Sequence, residues 1–178
     1  IENYEQFMEA IRAVSPVPMR FDEIAGESHV YYHNIDKEIV IQQGMSESQT
    51  MKTAIHEVAH AKLHDRERMK NLGVEKDQMT KEVEAESIAY SVCQHFGLDT
   101  ADYSFPYIAG WSSNRDMKEL KTSMDTIRHT AGDFIEEMTE KLQELQRDEP
   151  EQMHLLDSDL ILKMSGSMES EYAYDVIR

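Results

Sequence analysis

Cysteine is almost absent from this sequence: Cys93 stands alone in 178 residues. No disulfide can close within the chain, which fits a reducing compartment and leads us to expect a cytoplasmic location. No apolar stretch approaches the ~20 residues that a bilayer requires, and no signal-peptide pattern opens the chain, so no membrane partner is expected. Basic residues are scarce as well. Lys and Arg number 18 against 35 Asp and Glu, for a formal net charge of −17. Phosphate backbones attract cationic side chains; the acidity and the lack of any basic run therefore weigh against direct nucleic-acid binding. The excess of acid reads as a solvated surface. The first residue is Ile1, not Met, so a longer parent protein is expected. The length suits one compact domain that buries roughly two-thirds of its unfolded surface. We expect that domain over residues 1–148 and an acidic, weakly structured tail over 149–178.

Hydrophobic period and punctuation predict the elements. Tyr4, Phe7, Met8 and Ile11 mark a short amphipathic helix over residues 2–14, broken by Ser15-Pro16-Val17-Pro18. Three strands are predicted over 19–24, 29–33 and 38–42, with Asn34-Ile35-Asp36-Lys37 as the hairpin turn between the last two. A helix capped by Ser46 or Ser48 runs to about His64. A charged, mobile connection, residues 65–76, leads to a second helix over 77–96 that stops at Gly97. An aromatic-rich loop over 97–113 precedes a long helix from about Asn114 to Arg147, capped by Ser112 or Ser113 and followed by Pro150. Its stripe of Met117, Leu120, Met124, Ile127, Ala131, Phe134 and Met138 reads as a packing face. The fold class is α+β, with a small antiparallel sheet packed on the first of the two central helices.

The chemistry concentrates in His56-Glu57-Val58-Ala59-His60. Residues i and i+4 of a helix share a face, about 6 Å apart along the axis, so two imidazoles so placed can bind one zinc ion. Glu57 then stands beside the metal without ligating it, ready to take a proton from zinc-activated water. Projected at 100° per residue, Thr53, His56, Glu57, His60 and His64 share one arc, while Met51, Ala54, Ile55, Val58, Ala59 and Ala61 occupy the rest. A polar seam on a buried helix needs a metal or a hydrogen-bond network.

A catalytic zinc takes a third protein ligand. On the second helix, Ala85, Ala89, Val92, Cys93 and Phe96 define a buried face. Glu82 and Glu86 lie on or beside it, and Glu84 lies opposite, towards solvent. Glu82 is the favoured third ligand and Glu86 the alternative; on the favoured assignment Glu86 orients a ligating His from behind. His64 lies two turns from His56, too far to share the same ion. It reads as support behind the ligands or as a helix-end histidine near Asp65.

The run from His56 to His64, followed by Lys81-Glu82-Val83-Glu84-Ala85-Glu86-Ser87-Ile88-Ala89-Tyr90, resembles the ImmA/IrrE-type metallopeptidases. With Gly97-Leu98-Asp99-Thr100 and Ala109-Gly110-Trp111-Ser112-Ser113, it is closer still to the C-terminal metallopeptidase domain of ArdC-type antirestriction proteins of conjugative elements. The resemblance covers residues 15–135. It implies a zincin-like, gluzincin-type fold, in which a Glu of the following helix completes the zinc site and an acid four residues on supports a metal-binding His. Glu82 and Glu86 have that spacing. It further implies zinc-dependent hydrolysis of a protein or peptide substrate, with zinc on His56, His60 and Glu82 and with Glu57 as general base. Tyr90, Tyr103, Tyr107 and His64 are candidate oxyanion donors, and the strand over 38–42 is a candidate edge for an extended substrate. The competing readings are a non-catalytic metal-binding interaction module and, against the charge, a DNA-processing enzyme.

Overall fold

The computed structural model describes residues 3–24, 30–33, 37–98, 106–113 and 115–172, with backbone alone for 30–33, 106–109 and 148–172. The elements run α1 (Tyr4–Val14), β1 (Met19–Asp22), β2 (Val30–His33), β3 (Glu38–Gln42), α2 (Glu47–Leu63), α3 (Arg66–Leu72), α4 (Gln78–His95), α5 (Pro106–Ser113) and α6 (Met117–Tyr172). The chain divides into two compact units, Ile1–Lys141 and Leu142–Arg178. Among the described residues, no helix is long and apolar enough to cross a membrane.

Helices and a small sheet occupy separate stretches, an arrangement that fits an α+β class. The sheet corrects one expectation: it is mixed, not antiparallel throughout. Its order is β1-β3-β2. β2 pairs antiparallel with β3, Val30 opposite Ile41, but β1 pairs parallel with β3, Met19 opposite Ile39. The cause lies in β3. Ile39, Val40 and Ile41 are all fully buried, and a continuous apolar run belongs in the centre of a sheet, covered on both faces. With β3 central and β2 reversed before it, β1 points the same way as β3. The expected hairpin turn over 34–36 lies outside the described residues.

Ser46 caps α2, accepting from the Gln49 amide at 3.2 Å. Met51, Ala54, Ile55, Val58, Ala59 and Ala61 are buried, as the projection requires, and α2 packs on β3, α1 and α4. Residues 65–76 are not a plain connection. Asp65 caps α3 by accepting from the Arg68 amide, and Gly73 ends it at φ +63, a left-handed conformation that costs glycine nothing. The density of charge masks this helix in the sequence, since Met69 is its one buried residue. Residues 106–113 are likewise helical. Pro106 suits a first helical turn, and Trp111 anchors α5 by donating from Nε1 to Thr80 Oγ1 at 2.9 Å.

Neither Ser112 nor Ser113 caps α6. Asp116 accepts from the Glu119 amide at 2.8 Å while Glu119 accepts from the Asp116 amide at 3.3 Å, a reciprocal pair that satisfies two exposed donors. The packing seam also differs from the expected stripe. Ser123, Ala131, Phe134 and Met138 are buried, whereas Met117 and Met124 are exposed. The helix continues through Pro150 to Tyr172. A proline removes one helical hydrogen bond, and the Leu- and Met-rich residues after it favour the helix.

Candidate metal centre

The polar seam of α2 faces α4. Ser46 and Asp77, the N-caps of the two helices, set where each begins. His56 and His60, one turn apart, then meet Glu82, in the second turn of α4. His56 Nε2 lies 3.1 Å from His60 Nε2. Glu82 Oε2 lies 3.5 Å from the first nitrogen and 3.4 Å from the second. A tetrahedral ion with bonds near 2.1 Å holds its ligand atoms about 3.4 Å apart. The triangle therefore has the size that a zinc-like cation needs. His56, His60 and Glu82 are the group of metal-ligating side chains that converge among the described residues.

Hydrogen bonds on the far side of each ring decide which atoms face the centre. His56 Nδ1 lies 3.0 Å from Glu86 Oε2. A carboxylate only accepts, so His56 donates there and turns Nε2 towards the trio. His60 Nδ1 lies 2.9 Å from His64 Nδ1, and His64 Nε2 lies 2.9 Å from Glu84 Oε2. His64 donates to Glu84, accepts from His60, and leaves His60 Nε2 bare. Gln78 donates to Glu82 Oε1 at 2.5 Å, which steers the other oxygen inwards. Two imidazole lone pairs and a carboxylate oxygen thus converge on one point, an arrangement that repels itself unless a cation lies between. The donor set, two imidazoles and one carboxylate, suits zinc.

The electrostatics agree. Burial pushes the His56 imidazole down, but the Glu82 and Glu86 carboxylates outweigh it and raise it to about 9 in the metal-free protein. With Nδ1–H already committed to Glu86, the extra proton sits on Nε2, where it stands in for a metal. His56 and His60 in turn hold the Glu82 carboxyl below its ordinary value. Glu57 is 9% exposed. Burial raises its carboxyl, partly countered by His56 and His60, which moves it towards the basicity that proton transfer near neutral pH requires.

One sequence expectation fails outright. Glu84 does not face solvent; it is 0% exposed. The projection looked for a single buried face on α4, but this helix is buried over a wide arc that includes Thr80, Val83, Ala85 and Ile88. His64, Lys76 and Ser123 all reach Glu84. Burial alone would raise its carboxyl; hydrogen bonds from these three hold it lower. His64 is the helix-end histidine of α2, its C-cap, and lies between His60 and Glu84, while the neighbouring Asp65 caps α3. The β3 edge is also lost as a substrate dock, because β3 is paired on both sides. Tyr103 and the Tyr107 side chain lie outside what is described. Sequence reasoning missed Gln78, Lys76 and Ser123. For Ser123 a signal exists: it falls between Leu120 and Ile127 at helical spacing, a hydroxyl within an apolar seam.

An HExxH helix joined to a Glu-bearing helix around a cation-sized gap defines a metallopeptidase-like centre. Residues 17–95 match the IrrE N-terminal-like domain, a peptidase family; all three converging side chains and Glu57 lie in that stretch. The chain is 40% identical over 112 residues to an uncharacterized protein of Bacillus anthracis, an alignment that takes in 62% of this chain and 18% of that protein. No solved structure matches it.

Proposed function

We propose that this chain is a zinc-dependent peptidase domain with a zincin-like, gluzincin-type fold, working on a protein or peptide substrate. The observation that carries the reading is the convergence of His56 Nε2, His60 Nε2 and Glu82 Oε2 at 3.1–3.5 Å, with both imidazoles held from behind. His56, His60 and Glu82 would hold the zinc, which would supply Lewis acidity towards a water and a scissile carbonyl. Glu57 accepts the proton of that water and returns it to the leaving amine. Glu86 keeps the His56 proton on Nδ1, and Gln78 keeps Glu82 turned to the centre. The IrrE-type family match over residues 17–95 supports the same reading. Since the chain corresponds to 18% of its Bacillus anthracis relative, we read it as one domain of a larger protein of the antirestriction, mobile-element kind that its sequence resembles.

A metal-braced interaction module is the second reading, favoured by one observation: the trio ties α2 to α4, as a structural brace would. Glu57 separates the two, since a brace needs no buried base. Zinc content and hydrolysis of a fluorescent casein are to be measured for the parent, His56→Ala and Glu57→Gln. The peptidase reading expects zinc in the parent and in Glu57→Gln, little in His56→Ala, and turnover at least about 100-fold lower in Glu57→Gln. Equal turnover by the parent and Glu57→Gln would reject it; zinc without any turnover favours the brace.

A further inference from the structure

We propose that Glu84 is a positioning residue for the metal centre, acting on His60 through His64. The inference rests on the metal reading above and concerns how the second histidine is made ready. Three carboxylates follow one another at alternate positions of α4: Glu82, Glu84 and Glu86. Glu82 faces the centre itself, and Glu86 reaches His56 Nδ1 directly at 3.0 Å. His60 has no carboxylate on its Nδ1. It meets His64 Nδ1 at 2.9 Å, and His64 passes the contact to Glu84 at 2.9 Å.

The direction of this chain is fixed at its acidic end. Glu84 accepts Nζ–H from Lys76 at 2.6 and 2.8 Å and O–H from Ser123 at 2.8 Å. It is an ionised acceptor, so His64 must donate to it from Nε2. A neutral His64 then has only a lone pair on Nδ1. His60 is obliged to carry its own proton on Nδ1 and to present a bare Nε2, the tautomer that can ligate. Were His64 free to choose, His60 could hold its proton on Nε2 and close the centre to a metal. Groups that set the tautomer and direction of a ligating His typically change metal affinity by about 10–100-fold.

Burial argues the same way. A carboxylate withdrawn wholly from water is costly, and a well-packed apolar residue would stabilise the fold equally well. Lys76, at the end of the segment after α3, and Ser123 of α6 satisfy Glu84, yet neither touches His56, His60 or Glu82. Their contribution reaches the centre only through Glu84 and His64.

The test is chelator competition for zinc by the parent, Glu84→Gln, His64→Phe, the double variant and His64→Gln. The cobalt(II) spectrum and urea stability are recorded on each. Glu84→Gln and His64→Phe should each lose about 10–100-fold in zinc affinity and shift the cobalt bands. The double variant should lose no more than His64→Phe alone, because both lie on one path. His64→Gln, with a donor and an acceptor on its amide, should recover part of the loss. Ser123→Ala, which removes a single hydroxyl, keeps the test open if Glu84→Gln does not fold; it should lose several-fold in affinity. A parent that binds no zinc overturns the metal reading and this one together. A parent that binds zinc, with Glu84→Gln and Ser123→Ala binding equally well and only less stable to urea, overturns the positioning role alone.

Discussion

Removing metal and raising pH should loosen this protein through His56. Its imidazole, at 6.5 ordinarily, titrates at about 9 in the folded, metal-free chain. A group with a raised folded-state pKa stabilises fully below its unfolded value, and loses that contribution as pH climbs through the folded one. The window is therefore 6.5 to about 9. At about 1.4 kcal/mol per pH unit, that interval is worth roughly 3 kcal/mol, an upper figure because some solvent reaches the ring. Urea denaturation of chelator-treated parent and His56→Gln, at pH 6 and pH 9.5, isolates the effect. The difference between the two proteins reports the His56 imidazole together with its coupling to Glu57. The parent's advantage should shrink by up to this amount between the two pH values. With zinc saturating, the pH dependence through His56 disappears from this window, because the metal-bound ring carries no proton on Nε2 and the unfolded ring carries no second proton above 6.5. The metal competes with the proton for Nε2, so zinc affinity should rise over the same window. A parent-minus-variant difference that stays flat from pH 6 to 9.5 would show that Glu82 and Glu86 do not act on His56 as their distances require.

Two further outcomes concern the frame around the centre. Phe134 is fully buried, with the Lys62 ammonium 5.4 Å from its ring centre; Phe134→Ala should destabilise by about 3–5 kcal/mol in urea, with zinc affinity per folded molecule unchanged. Trp111→Phe leaves Thr80 Oγ1 without its indole donor and should cost about 1–3 kcal/mol, read from the same melts.

The legible part of the fold was what one helix or strand encodes by itself. The β3 span, the Ser46 cap and the stop at Gly97 follow from local rules, and all six apolar residues assigned to the α2 core are buried. The convergence of His56, His60 and Glu82 was legible for a similar reason. The i, i+4 spacing puts the imidazoles together, and a carboxylate beside an apolar face has to find a cation. Strand direction was not legible, because it depends on which strand takes the middle. α3 was hidden by its own charge. Glu84 was misjudged because a helical wheel assumes one dry side and one wet side. A helix packed over most of its circumference has no wet side from which to read polarity.

That last failure bears on how the centre is built. Positions i, i+2 and i+4 of a helix lie at 0°, about 200° and about 40° around the axis, so Glu82 and Glu86 share a side that Glu84 cannot reach directly. His64 closes the gap. As the C-cap of α2 it contacts His60 on one edge and Glu84 on the other, and lets a carboxylate on the wrong side of α4 act on the same pair of imidazoles. The sequence shows the two halves of this device separately, as a third histidine after HExxH and a second acid between Glu82 and Glu86. Neither half has meaning alone. His64 without Glu84 would leave the His60 tautomer unset, and Glu84 without His64 would be a buried charge facing only Lys76 and Ser123. Their joint presence is best explained by the need of His60, the one proposed ligand whose outer nitrogen meets no carboxylate.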